Sequence, residues 1–391
     1  MPQTFISGAE STANIPAARR VRDVGRLAYL DPDAAPFTLI LQKAKSKIAL
    51  NSKFEWIEKD EPSKWSAVPG GATSSATTIN VTSGTGQQFA PHDIVRVPLT
   101  GEVFRVVSIA TDALTVVRGV GETVGTTIAA NSDVRIIGNS YGEGAAVGTE
   151  KSHQETYPFN FAEIFRLPFG ATGSEAASEN YTGRDRPRQR IEKSREFRIL
   201  MESAFLFGER AEDTSAPGSP RRYTRGVLQW LEVAASGAVL LDAGGALTES
   251  ELENFAQNVF QHVGGSGTRT LFASPLVCSV IDMLAGARLQ TVPSDTTYGI
   301  AVRRLISSHG EFLVVKHRLL ENGPNGNGYG GYALALEPSS MAYRFLRERD
   351  TALLMDRQAP GDDKYTDEYM AETGLQFGLP PLHGRIKGIT G

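Results

Sequence analysis

From Ile300 to the end, the chain is a series of strand signals with hardly any helical period, and this forces a sheet-rich C-terminal half. Ile300–Ser308 and Phe312–Leu320 flank a turn at His309-Gly310 and read as a hairpin. After a Gly/Asn-rich loop, the strand Tyr332–Leu336 stops at Glu337-Pro338, and Met341–Arg347 follows at once. An acidic loop, Gly361-Asp362-Asp363-Lys364, leads into a long alternating strand, Tyr365–Phe377, and the chain closes on Pro380-Pro381-Leu382-His383-Gly384-Arg385-Ile386. No segment of this string carries a catalytic cluster.

Helical periods sit upstream. The longest should run over 186–211, with Asp185 as cap and Pro187 in the first turn. Phe197, Leu200, Ala204 and Phe207, with Met201 beside them, read as its apolar stripe. Its first half is a charged rod: residues 184–198 hold seven Arg/Lys (Arg184, Arg186, Arg188, Arg190, Lys193, Arg195, Arg198) and three acids (Asp185, Glu192, Glu196). Spacings such as Arg188–Glu192 favour pairing along the helix over sequence-specific DNA reading. Thr248-Glu249-Ser250-Glu251 is a capping box opening a helix with Leu252, Phe255, Ala256, Val259, Phe260 and Val263 on one face. Ser274-Pro275 opens another, with Val277, Val280, Ile281 and Leu284, and Thr268–Ala273 between the two reads as a strand.

The first third is organised differently. Residues 1–50 form an arm with apolar clusters Leu27–Leu30 and Phe37–Leu41, seven Lys/Arg and four acids. Residues 51–71 and 139–180 read as two extended polar legs, the second carrying Ser140 to Ser178. Between them, 72–138 is a β island with candidate strands Ile79–Thr82, Asp93–Val97, Val103–Ile109, Leu114–Arg118 and Val134–Ile137, a small barrel or sandwich. Gly70-Gly71 and Gly138-Asn139 mark its edges.

Enzyme chemistry finds no foothold. There is no P-loop, no nucleophile elbow and no His-Glu-x-x-His. The glycine runs Gly119–Gly125 and Gly326–Gly331 read as turns. The six histidines, at 92, 153, 262, 309, 317 and 383, form no tight pair. Cys278 reads as a small buried hydrophobe without a base. The acids Asp362, Asp363, Asp367, Glu368 and Glu372 lack calcium-loop spacing and read as a solvated loop, or as partners of the basic helix start on a neighbouring subunit. No catalytic, cofactor or metal residue is therefore assigned, and no enzyme activity is expected.

At 391 residues and 40% hydrophobic content, the chain holds packed cores in more than one sub-domain. A net charge of −4 sets up no global field toward nucleic acid or membrane. A single cysteine allows no internal disulfide. Met1-Pro2-Gln3-Thr4 begins no signal peptide, and no apolar run reaches membrane length, so cytoplasmic synthesis is expected.

The order of these parts resembles the major capsid proteins of tailed bacteriophages, with their α+β, Hong Kong ninety-seven-like capsid fold. The stretches that carry the resemblance are Arg225-Gly226-Val227-Leu228-Gln229-Trp230-Leu231, Thr248–Gly264 with Leu271-Phe272-Ala273-Ser274-Pro275, His309–His317, and Glu368–Gly384. They cover 186–391 well and the first third loosely. The resemblance implies an N-terminal arm (1–50), an extended loop (51–71 and 139–180) carrying the inserted β-domain (72–138), a peripheral domain (181–231 and 329–391) with its spine helix, and an axial domain (232–328). It implies a head-shell protein that binds itself in hexamers and pentamers through arm and extended loop, forming an icosahedral or related shell around double-stranded DNA. Contact with packaged DNA would be non-specific. Scaffolding, portal or decoration proteins would be separate chains, since the arm is too short for a fused scaffold. Lys59, Lys64 and Lys151 lie in or beside the legs, but no covalent cross-link is expected. The alternatives are an encapsulin-type compartment shell and a phage decoration or tail protein.

Overall fold

A computed structural model of the protein describes residues 35–390 except 62, 147, 149–150, 179–184, 217, 234–236, 263, 286–288, 291–295, 298–299 and 302. The cluster Leu27–Leu30, with the arm before residue 35, lies outside the described residues. The chain forms two compact units. One is Ile57–Tyr157; the other joins the chain up to Trp56 to the chain from Pro158 onward.

The larger unit is built on two sheets. The first runs, strand by strand, Ser46–Ala49, Met341–Leu346, Lys364–Phe377 and Glu163–Thr172, with Ala352–Leu354 also paired to the long strand. Lys364–Phe377 is one continuous strand, as the sequence predicts, but its burial does not alternate: Ala371–Phe377 are all buried, so this half of the strand is covered on both faces. Its partner Glu163–Thr172 runs antiparallel to it from Glu163↔Thr373 to Thr172↔Lys364. That partner falls in the predicted polar leg 139–180. Phe165 and Phe169 on one face are buried, and this period-two pattern places the segment in the core sheet rather than in a loop.

The long helix, Asp185–Phe207, lies on this sheet. Its buried apolar residues are Phe197, Met201, Phe205 and Leu206, with Phe205 edge-on to Phe165 (6.3 Å) and Tyr343 (6.1 Å). Of the predicted stripe, Phe197 and Met201 are buried and Ala204 and Phe207 pack against the same core, but Leu200 is 43% exposed and Phe205 takes the central place instead. The helix also stops short of the predicted 211. It ends at Gly208, where the carbonyls of Ala204 and Thr224 occupy the space a Cβ would need. Beyond it the chain makes a short hairpin, Ala211–Asp213 against Arg221–Tyr223. Within the predicted arm, Pro36–Ala44 is a helix whose Phe37, Ile40 and Leu41 are buried in the same core.

The second sheet orders Val239–Gly245, Gly384–Ile389, Ala333–Leu336, Thr268–Ala273, Glu311–Lys316, Arg303–Ile306 and Leu289–Gln290. Both faces are covered. Phe272, Val315, Leu334 and Leu336 join the core of the first sheet and long helix. Leu271, Ala273, Phe312, Ala333, Ala335 and Ile386 pack with the helices Glu249–Val259 and Pro275–Ala285. A strand buried on both sides reads as an unbroken apolar run, as Ala333–Leu336 does. One sheet thus serves two cores, and Ala333–Leu336 and Gly384–Ile389 complete the sheet of the predicted axial domain although they lie beyond residue 328. Both predicted helix starts are present. Thr248 and Glu251 form the reciprocal capping box, and the Ser274 hydroxyl accepts from the Val277 N–H at 3.1 Å.

The smaller unit is one six-stranded sheet in the order Trp65–Val68, Ser132–Asn139, Asp93–Arg96, Val103–Ala110, Ala113–Val117, Thr78–Asn80. The Thr82 N–H donates to the Ala67 carbonyl at 2.9 Å, bringing the two ends of the sheet together into a nearly closed barrel. Val68, Ile79, Val95, Phe104, Val106, Leu114 and Val134 fill its interior. Trp65–Val68, placed in the first leg by sequence, is a barrel strand. It extends the unit beyond the predicted 72–138 because its alternate residues Ser66 and Val68 face inward.

Candidate functional site

The structure ties most of the conspicuous charges into architecture. Asp367 lies on the long strand with its side chain 1% exposed. Arg186 donates to it from Nε (3.0 Å) and Nη2 (2.6 Å), and Arg190 from Nε (2.8 Å). Burial would raise this carboxyl, but hydrogen bonds from Arg186, Arg190 and the Asp356 N–H outweigh it and hold the group at about 2. Glu368 is gripped by Arg166, and Glu372 by Arg349. Asp367, Glu368 and Glu372 are therefore strand residues, not loop residues, and their basic partners, including the start of the long helix, belong to the same chain. Asp362 and Asp363 do lie on the exposed loop.

Three buried polar nodes hold the larger unit together. Glu202, fully buried on the long helix, accepts from the N–H groups of Phe37 (2.8 Å) and Thr38 (2.6 Å) at the start of the helix Pro36–Ala44. A carboxylate at a helix N-terminus meets unpaired donors and the positive dipole end. His317 Nε2 reaches the same carboxylate at 2.7 Å. Asn160, also fully buried, donates to Thr224 Oγ1 (3.2 Å) and the carbonyls of Arg225 (3.1 Å) and Leu375 (2.7 Å), and accepts from the N–H groups of Phe161 and Arg225.

The third node is Arg269 with Glu337, both buried and ion-paired. Glu337 also accepts from Ser266 and Ser339. Burial would raise its carboxyl; these hydrogen bonds and the Arg269 charge hold it below its ordinary range. Beside it, His383 Nδ1 accepts from the Glu337 N–H at 3.1 Å, so Nε2 carries the hydrogen and faces the Gly378 carbonyl at 3.1 Å. Burial pushes this imidazole down to about 4.

None of this is catalytic geometry. Among the described residues, no three His, Cys, Asp or Glu side chains are grouped to hold a metal ion. His317 and His383 sit in separate nodes, His309 stands 3.7 Å from Glu253, and the His92 ring lies tilted against Tyr141 at 4.7 Å. Cys278 is half-buried, and burial raises its thiol, which opposes a nucleophilic role. Both glycine runs contain left-handed turn residues, Gly119, Gly121, Gly326 and Gly328. Sequence reasoning passed over Glu202, Asn160 and the Arg269–Glu337 pair. The available signal was a lone acid within Leu200–Phe205, an otherwise largely apolar stretch of helix.

What the surface offers instead is contact area. Ile48 (52% exposed), Leu50, Met283 and Met355 are large apolar side chains facing outward on the larger unit. No helix among the described residues is long and apolar enough to cross a membrane.

The comparisons agree with this architecture. The chain matches the family model described as SU10 major capsid protein over residues 9–390. The major capsid protein of Pseudomonas phage PaMx41 is 22% identical over 339 residues, covering 85% of this chain and 79% of that one. Among solved structures, the capsid of a native GTA particle aligns over 95% of each chain at 9% identity with a TM-score of 0.50. The fold is the Hong Kong ninety-seven-like capsid fold, and the chain belongs to the SU10 major capsid protein family, the structural head-shell proteins of phages.

Proposed function

We propose that copies of this chain associate into hexamers and pentamers that close an icosahedral or related shell around double-stranded DNA. The observation that carries this reading is the match to the major capsid protein family model over residues 9–390. Two features support it. The buried acids, bases and histidines are committed to internal ties, and large apolar side chains stand exposed on the larger unit.

In this reading the long helix and first sheet form the peripheral domain, and 232–328 with the strands Ala333–Leu336 and Gly384–Ile389 forms the axial domain. The exposed parts of the arm and of the extended loop reach neighbouring subunits, while Pro36–Ala44 and Glu163–Thr172 are built into the subunit's own core, and the barrel is an inserted module. Assembly takes place in the host cytoplasm, and contact with DNA is through phosphates without base reading. No enzymatic activity, cofactor or metal is assigned.

The test is to express the chain in bacteria and examine the product by negative-stain microscopy and analytical ultracentrifugation. Rings or closed shells are expected. A monodisperse monomer across salt and concentration would overturn the reading. Particles that hold one enzyme and no nucleic acid would favour a cargo compartment instead.

A further inference from the structure

We propose that the outer face of the barrel in residues 57–157 is a docking surface for a second copy of this chain, through carboxylates on that copy. The inference rests on the self-assembly reading above. The register places Arg96 directly opposite Arg135 across neighbouring strands. Arg105, on the next strand over, lies diagonally beside Arg96, since its neighbour two residues back, Val103, is the residue paired with Arg96. Residues paired across strands face the same side, and these three guanidinium groups point away from the interior filled by Val95, Phe104 and Val134. Arg96 and Arg135 are exposed and Arg105 is half-buried.

Like charges directly opposite each other weaken a sheet, so this arrangement costs the isolated chain stability. No ion pair relieves it among the described residues; Asp133 is the acid on the same strand face as Arg135, two residues away. The unit could have spread its charge. It holds eleven acids against seven Lys/Arg, and three of those seven are gathered on this face. Elsewhere in the unit, Arg118 is spent on the buried Glu102, and Lys151 on the carbonyls of Gln87 and Phe89.

The apolar surroundings fit a protein partner. The Trp65 ring lies 5.1 Å from the Arg135 guanidinium, and Trp65, Val117 and Ile137 are each about half exposed. Trp and Arg together are the commonest anchors of protein interfaces. A polynucleotide is a poorer match. Tight phosphate binding takes many contacts, on the order of 6–10, and this face offers three cations on a unit with excess acid. The second copy supplies the complement: with these three cations removed from the net charge of −4, the rest of the chain carries −7.

The experiment uses the full chain. Arg96→Glu with Arg105→Glu is compared with Arg96→Gln with Arg105→Gln, and a photo-cross-linking residue is placed at Val103 in an otherwise unchanged chain. Isotope-labelled and unlabelled chains are mixed before irradiation, so that cross-links between copies are separated from those within one. The expected result is a graded loss of assembly, about tenfold or more for the Glu pair and less for the Gln pair, with unchanged amide protection in the barrel strands. Cross-links should join Val103 to acid-bearing peptides of another copy, and wild-type assembly should weaken with added salt. Undiminished assembly of the Glu pair, or cross-links solely within one chain, to nucleic acid or to a different protein, would overturn the inference while leaving the shell reading standing. Failure of wild type to assemble would overturn the shell reading, and without inter-copy cross-links this one as well.

Discussion

In the barrel, the buried carboxylate Glu102 finds its partners nearby: Arg118 is 16 residues away and Thr126 is 24. In the larger unit the same task spans most of the chain. Glu202 reaches Phe37 across 165 residues, Arg186 reaches Asp367 across 181, and Asn160 reaches Leu375 across 215. Each long tie closes a large loop, whose entropy must be offset before the contact forms. The barrel satisfies its polar groups locally; the larger unit satisfies them only when most of it is in place. This difference makes the larger unit the more cooperative of the two, and each of its polar nodes a point where distant segments separate together.

The sharpest way to break the comparison is to delete one carboxylate in each unit. Glu202→Ala strands two buried N–H donors and His317. Glu102→Ala strands Arg118, whose side chain is 8% exposed. Removing one member of a buried charged group costs about 3–5 kcal/mol. Hydrogen exchange should separate the two. Glu202→Ala should lose protection at Phe37–Leu41, near His317 and along the long helix together, whereas Glu102→Ala should lose it within 57–157. Loss confined to the helix Pro36–Ala44 in the first variant would show that the long ties are not cooperative.

Core packing tests the helix register. Phe205→Ala should destabilise the protein by about 3–5 kcal/mol, while Leu200→Ala, at an exposed position, should stay within about 0.5 kcal/mol. Paired denaturant melts measure both. Equal losses would restore the stripe that sequence periodicity favoured. That error shows where legibility ended. The capping box, the long C-terminal strand and the barrel strands follow from neighbours a few residues apart, and the sequence displays them. Choosing between Leu200 and Met201 requires knowing where Phe165 and Tyr343 arrive, and those lie far along the chain. Likewise Glu163–Thr172 looked like a polar leg because its exposed residues, Ile164 and Arg166 among them, dilute the apolar face that the long helix covers. The acids Asp367, Glu368 and Glu372 were visible as a cluster and the basic helix start as a candidate partner, but that the partners lie in the same chain, and that Arg166 and Arg349 are among them, was not.

Acid should probe the nodes in sequence. The His383 imidazole is held at about 4, against about 6.5 when unfolded. The unfolded chain thus takes up a proton first as pH falls. Stability should decline from pH 6.5 to about 4, by about 3 kcal/mol for this group. Asp367, held at about 2, has the depressed pKa of a paired acid. Its contribution is present above about pH 4 and lost as pH falls toward 2. In urea melts across pH, His383→Asn should flatten the upper limb and leave the lower one in place. An unchanged upper limb would mean that His383 is not the group being read.

The smallest effect belongs to the charged face of the long helix, where the chain looks most electrostatic. Lys193 and Glu196 pair at 2.6 Å, but their side chains are 32% and 52% exposed. Solvent screens such a pair, and holding two long side chains in one geometry removes much of the gain. Lys193→Ala should therefore shift stability by less than about 0.5 kcal/mol. Asp367 sits on the opposite side of the argument, with similar partners but almost no exposure. If Lys193→Ala destabilised the monomer as much as Asp367→Asn in the same melts, burial would not be what separates working charges from solvated ones. If it left the monomer unchanged but lowered particle yield, the exposed half of the helix would be reading a neighbour rather than its own subunit.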